Sequence, residues 1–206
     1  GLIHRGKSSN VGEELQNMLQ ALKHRGPDST GYALYANNDG QNFILRFKVG
    51  ENVGEGSTSV NEDESVYNER KKIVDKKLSE LGAPIVKEEK LTPYSYRYEI
   101  KYDKDLMEFS KAVESIENVE ILSIGKSLEL IKDLGDANVV SERYGLNKVQ
   151  GTHGIGHARM ATESGVDIKS AHPFWGYPFA DVSVVHNGQL TNYWNNRRVL
   201  ENKGMR

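Results

Sequence analysis

The sequence predicts an α+β protein. Three features carry that reading: an amphipathic helical segment near the N-terminus, two short strand-like segments around an Asp-Gly turn just after it, and a strictly alternating aromatic run inside a charged, helix-rich middle. Between Val11 and Leu22 the apolar residues Val11, Leu15, Met18, Leu19 and Leu22 recur at helical spacing until His24-Arg25-Gly26-Pro27 stops them. Residues 31–36 and 42–49 read as strands, and Asp39-Gly40 between them is a favoured hairpin turn, so the two are expected to pair antiparallel.

From Gly50 to about Gln150 the texture changes. A Gly/Ser-rich stretch (Gly50, Gly54, Gly56, Ser57, Ser59) leads into residues 61–90, where 15 of 30 side chains are charged, 8 acidic and 7 basic. So even a mixture reads as a solvated helix whose apolar stripe is Ile73, Val74, Leu78 and Leu81, ended by Gly82 and Pro84. Tyr94, Tyr96, Tyr98, Ile100 and Tyr102 alternate with polar residues, as in one half-buried strand. An aromatic ladder can also stack bases, but the chain lacks the net positive charge that RNA recognition needs, and a packed core is the stronger reading. Leu106 to Ile116 then predicts a helix, Val119 to Ile124 a strand and Leu128 to Leu134 another helix, with Gly125-Lys126-Ser127 as its start. The segment 50–150 is therefore expected to be an inserted α+β subdomain between 1–49 and 151–206. Strand pattern returns at 181–185, followed by the turn His186-Asn187-Gly188 and a helix reaching Asn202.

Composition narrows the function. At 206 residues one domain, or one with an appendage, is expected at about 150 residues per domain. The 27 basic and 29 acidic side chains leave a net charge of −2, which provides no general attraction for nucleic acid or anionic lipid. No apolar stretch approaches the roughly 18 to 20 residues that cross a bilayer. Residues 1–10 lack the apolar centre of a secretory signal, and a cytoplasmic location is expected. Zero cysteines exclude a disulfide framework, a thiolate zinc site, an iron–sulfur cluster and a cysteine nucleophile within these residues. No cofactor is expected.

Several motifs carry possible chemistry. His153 and His157 stand four apart, a metal-ligand spacing on a helix, but the glycines around them argue against a helix and favour structural roles. Asn187-Gly188 after an apolar strand is either a tight turn using glycine's freedom or an oxyanion hole, with an amide side chain and a neighbouring N–H aimed at a developing negative oxygen. Arg159, among small and apolar neighbours, is either a surface side chain or the bidentate partner of a carboxylate, such as that of a free amino acid.

Together, Leu22-Lys23-His24-Arg25-Gly26-Pro27-Asp28-Ser29-Thr30-Gly31, Gly156-His157-Ala158-Arg159-Met160-Ala161-Thr162, Ala171-His172-Pro173-Phe174 and Val184-Val185-His186-Asn187-Gly188 resemble, in order and type, the motifs of the class II glutamine amidotransferases. Stand-alone amidotransferase subunits of archaeal-type glutamate synthase look nearest. The resemblance covers 1–49 and 151–206. It implies a four-layer αββα sandwich of the N-terminal-nucleophile type and hydrolysis of glutamine to glutamate and ammonia. Carried onto this chain, Asn187 and the Gly188 N–H hold the oxyanion, Arg159 grips the α-carboxylate of glutamine with Thr162 beside it, and His172 lines the pocket. The Arg25–Asp28 turn buttresses the floor.

The family begins Cys-Gly-Ile-x-Gly, whose last glycine matches Gly1, so truncation at both ends is the expectation. The chain is then a glutaminase domain that passes ammonia to a synthase partner, with no nucleic acid or membrane partner. The rival is a non-catalytic glutamine-binding or scaffolding subunit that lacks the nucleophile.

Overall fold

The computed structural model describes residues 1–26, 28–51, 62–160, 168, 171–188 and 190–205. In chain order these form β1 (Leu2–Ile3), α1 (Val11–Gln20), β2 (Ser29–Ala36), β3 (Phe43–Lys48), α2 (Glu64–Leu81), β4 (Ile85–Thr92), β5 (Ser95–Ile100), α3 (Leu106–Glu114), β6 (Glu120–Gly125), β7 (Leu128–Leu134), α4 (Ala137–Tyr144), β8 (Gly151–Arg159), β9 (Phe174–Trp175), β10 (Ser183–Val184) and α5 (Tyr193–Asn202). The mixture of helices and antiparallel sheets is α+β. One sheet has the order β1-β8-β2-β7, a second β4-β5-β3-β6, and β9 and β10 pair by themselves. None of the described helices is long and apolar enough to cross a membrane.

Local chemistry fixes the helix ends. The side chains of Asp63, Asp105 and Asp136 accept backbone N–H groups in the first turns of α2, α3 and α4. Gly82 and Gly145 end α2 and α4 in the left-handed conformation. The alternation of β2 divides the interior. Tyr32 and Leu34 join Val11, Leu15 and Leu19 of α1 and Val140 and Tyr144 of α4 in one cluster. Ala33 faces the other way, into a larger cluster with Leu45 and Phe47 of β3, Tyr96 and Tyr98 of β5, and the apolar stripes of α2 and α3.

Several expectations are corrected. Strands β2 and β3 are sequential but do not pair: β2 lies between β7 and β8, and β3 between β5 and β6. The Asp39-Gly40 connection carries the chain from one sheet to the other. Within residues 50–150, β7 bonds along β2 while β5 and β6 flank β3. Residues 128–134 are strand β7, not a helix, because Leu128, Leu130 and Ile131 pack on both faces of a buried sheet. Gly125-Lys126-Ser127 is accordingly the turn from β6 to β7 instead of a helix start.

The aromatic run does lie in the core, yet its strand is buried on both faces. Opposite Tyr96 and Tyr98, Arg97 is closed in by Glu129, which also takes the guanidinium of Arg46. Both arginines outweigh the effect of burial and hold the Glu129 carboxyl well below its ordinary range. At 181–185 only Ser183–Val184 is strand.

Candidate active site

The site is built on one face of β8 and β2. In their antiparallel register Arg159 stands opposite Ser29 and His157 opposite Gly31, while Gly31 also stands opposite Lys132 of β7. Directly paired residues project from the same side of a sheet, so Arg159, His157, Ser29, Gly31 and Lys132 share one face. Gly31 leaves a gap in that row. A Cβ there would run into the carbonyl oxygen of His172 and the ring of Pro173, so the missing side chain is what lets this segment lie directly on the sheet. Once seated, the His172 ring packs against His157 at 5.1 Å between centroids and edge-on against Phe174 at 4.5 Å.

Gly26 makes a second close approach. A Cβ on it would stand 2.6–2.7 Å from the backbone of Ala158 and Arg159, and the N–H of Asp28 donates to the Arg159 carbonyl at 3.2 Å. The turn before β2 is thus pressed against the end of β8 that carries Arg159.

The last part comes from the β9–β10 hairpin. Phe174 pairs with Val184 and Trp175 with Ser183, so the same register carried two residues further along each arm sets His172 alongside His186. Asn187 and Gly188 follow at once and are exposed. Gly188 has φ +152°, a conformation suited to glycine, and a Cβ on it would lie 3.1 Å from Nε2 of His186. The hairpin is held to the sheet by a 2.9 Å hydrogen bond between the hydroxyls of Tyr35 and Ser183, and internally by Trp175 Nε1 donating to the Phe179 carbonyl at 2.8 Å.

Burial first, and then the nearby His157, His186, Lys132 and Arg159, push the His172 imidazole down to about 4. Burial, with Arg159 second, also pushes His157 down. Both rings are therefore favoured as neutral groups at neutral pH beside two cations, Arg159 and Lys132, the latter paired with Glu120 at 3.1 Å. Such a cluster suits an anionic group, and the guanidinium suits a carboxylate.

Of the residues singled out in the sequence, Arg159 and His172 are brought together, with His186 joining them next to Asn187. Thr162 lies outside the described residues. His153 and His157 lie on strand β8, where four residues span about 13 Å, too far to share one ion; His153 instead stacks on Tyr35 at 3.9 Å. Among the described residues no cluster of three or more His, Cys, Asp or Glu could hold a metal ion. Sequence reasoning passed over Lys132, which lay in a segment read as helix, and gave His157 no place in the site; the strand alternation His157-x-Arg159 was the signal that could have placed the latter.

The N-terminus runs along the same strand. Leu2 pairs with Gly154 and Ile3 with His153, and a Cβ on Gly1 would lie 3.0 Å from Ile155 Cγ2. Read from Ile3 back to Gly1, the chain advances along β8 toward Arg159.

No family model matches the chain. It is 35% identical over 215 residues to a protein of Methanothermobacter thermautotrophicus that carries a provisional glutamine amidotransferase name, covering 99% of this chain and 65% of that protein. It is 31% identical over 199 residues to the glutamine amidotransferase-like protein GlxB of Rhizobium meliloti, covering 95% of this chain and 58% of that one. A shorter match, 30% over 106 residues, is to the isomerizing glutamine–fructose-6-phosphate aminotransferase of Methanococcus maripaludis, covering 50% of this chain and 18% of that enzyme. The chain thus spans less than two thirds of the length of each of these relatives.

Proposed function

We propose that this chain is the glutamine-hydrolysing part of a class II, N-terminal-nucleophile glutamine amidotransferase, with the αββα layering of that family, acting in the cytoplasm and passing ammonia to a synthase partner, glutamate synthase foremost. Relatives named as glutamine amidotransferases along nearly the whole chain support glutamine amidotransfer as the general chemistry. The observation that carries the reading is the register of β1 on β8. Leu2 pairs with Gly154 and Ile3 with His153; continued upstream in the same register, a residue four places before Gly1 would stand opposite Arg159 and on the same face. That is the position where the motif requires the nucleophilic cysteine.

In this reading Arg159 holds the α-carboxylate of glutamine through a two-pronged pair, with Thr162 beside it and His172 closing the pocket. The terminal α-amine, with a reference pKa of about 7.7 to 8.0, takes the thiol proton. The thiolate attacks the side-chain amide carbon, and the resulting oxyanion is met by the Asn187 side chain and the Gly188 N–H. The α-ammonium returns its proton to the departing nitrogen, which leaves as ammonia, and water then hydrolyses the thioester to glutamate and the free thiol. With His157 and His172 neutral and Lys132 paired with Glu120, the carboxylate is met by the Arg159 guanidinium. Ammonia has to be kept from bulk water, which motivates a docked acceptor subunit.

The test is glutamate release from glutamine by the full-length protein with its natural N-terminus. Hydrolysis abolished by replacing the terminal cysteine with alanine supports the enzyme. A natural N-terminus with another residue at that position, together with glutamine binding but no release of glutamate, supports the non-catalytic rival.

A further inference from the structure

The β9–β10 hairpin has a second fastening outside the pocket. Asp181, at its tip with φ +57°, inserts its carboxylate into the turn between β6 and β7. One oxygen accepts the N–H groups of Ser127 and Leu128, both at 2.8 Å, and the Ser127 hydroxyl at 3.0 Å; the other accepts the N–H of Lys126 at 3.0 Å. Burial works against the charge, but these donors outweigh it and hold Asp181 below the ordinary carboxylate range. Gly125 is part of the same lock, because a Cβ there would occupy the space of Asp181 Oδ1. The turn joins a strand of one sheet to a strand of the other, so the hairpin tip is pinned to the junction of the two sheets.

The two arms of that hairpin end in the site. His172 precedes β9 and His186-Asn187-Gly188 follows β10, whereas Arg159 is fixed independently on β8. We infer that Asp181 is a positioning residue for the oxyanion turn: by locking the hairpin tip into the Gly125–Leu128 turn it sets where Asn187 and Gly188 stand relative to a substrate held by Arg159. This rests on the glutaminase reading. It predicts a division of labour: Arg159 lies on β8 and His172 is seated separately by its backbone contact with Gly31, so loosening the tip misplaces the groups that act on the transition state and leaves the substrate grip intact.

The experiment compares full-length wild type with Asp181→Ala, Asp181→Asn and Gly125→Ala, measuring kcat and KM for glutamine hydrolysis and amide hydrogen exchange across 174–184. Gly125→Ala leaves the carboxylate in place chemically and evicts it sterically, so it should reproduce Asp181→Ala. Both are expected to lower kcat roughly tenfold to a hundredfold, as a misplacement near 1 Å can, to leave KM unchanged and to speed exchange in the hairpin. Asp181→Asn, which keeps one acceptor oxygen, should fall between.

If kcat is unchanged in both while exchange accelerates, the lock is only structural and the inference is overturned; a parallel loss of kcat and of glutamine affinity overturns it too. A wild-type chain that releases no glutamate overturns the proposed function instead.

Discussion

The carbonyl oxygen of His172 occupies the space where a side chain on Gly31 would stand, between His157 on one neighbouring strand and Lys132 on the other. This contact seats the segment before β9 on the sheet, and the hairpin register sets His186 of the other arm alongside His172. Gly31→Ala has to push the His172 backbone away or distort β2, an overpacking that costs about 1–3 kcal/mol. A fall in thermal stability with a loss of glutaminase activity is expected from calorimetry and a steady-state assay. Unchanged values of both would show that the segment yields freely.

On the proposed reading, Arg159→Ala in the full-length protein removes a charge-assisted pair worth about 1.5–3 kcal/mol, and the expected outcome is a KM for glutamine raised roughly tenfold to a hundredfold. Arg159→Lys keeps the charge and loses the fork, and should lie between. If KM stays at the wild-type value, the α-carboxylate is held elsewhere.

Asn187→Ala acts on a different parameter. If Asn187 is the proposed oxyanion donor, its deletion lowers kcat by about a hundredfold to a thousandfold while KM moves little, because such a donor meets the tetrahedral adduct and not the ground-state amide. Turnover that survives would reduce Asn187-Gly188 to a turn.

What the sequence disclosed divides by range. The helix over 64–81 was readable because its stripe and its Gly82 stop are local, and Arg159, His172 and Asn187 stand out because short motifs surround them. Strand β7 was misread as helix because Leu128, Leu130 and Ile131 pack on both faces of a buried sheet, which erases the alternation that marks a half-buried strand. The partners of β2 and β3 were hidden for another reason. An Asp-Gly turn signals a reversal of direction but not which sheet receives the next strand. Asp181 had no local signal at all, since its donors lie more than fifty residues away.

The His172 imidazole makes a pH prediction with a definite sign. Its ordinary value is 6.5, and burial, aided by His157, His186, Lys132 and Arg159, takes it to about 4 in the fold. As pH falls below 6.5 the unfolded chain takes up this proton before the folded one does, so the contribution of His172 to stability is lost between 6.5 and 4. NMR titration of its ring should show a midpoint near 4, and denaturant melts of His172→Gln should lose less stability than wild type over that interval. A ring titrating at its ordinary value would mean that the pocket is open to water.

Away from the site, Glu129 binds two buried guanidinium groups, Arg46 from β3 and Arg97 from β5. In the β2–β7 register Glu129 pairs with Leu34, and Lys132 with Gly31, so Glu129 leaves the sheet on the face opposite the site. Glu129→Gln keeps the shape and removes the charge, leaving Arg46 buried without its carboxylate while Arg97 keeps Glu99 at 3.1 Å and Glu89 at 3.4 Å, at a cost of about 3–5 kcal/mol. Because the folded carboxyl is held below its ordinary value, wild type loses this contribution as pH falls from about 4.5 toward 2, and the variant has none to lose. Chemical denaturation at neutral pH and at pH 3 should therefore show a large gap between the two proteins at neutral pH and a smaller one in acid. Kinetic constants of the folded variant should match wild type. A gap independent of pH would mean that packing, and not charge, is what Glu129 contributes.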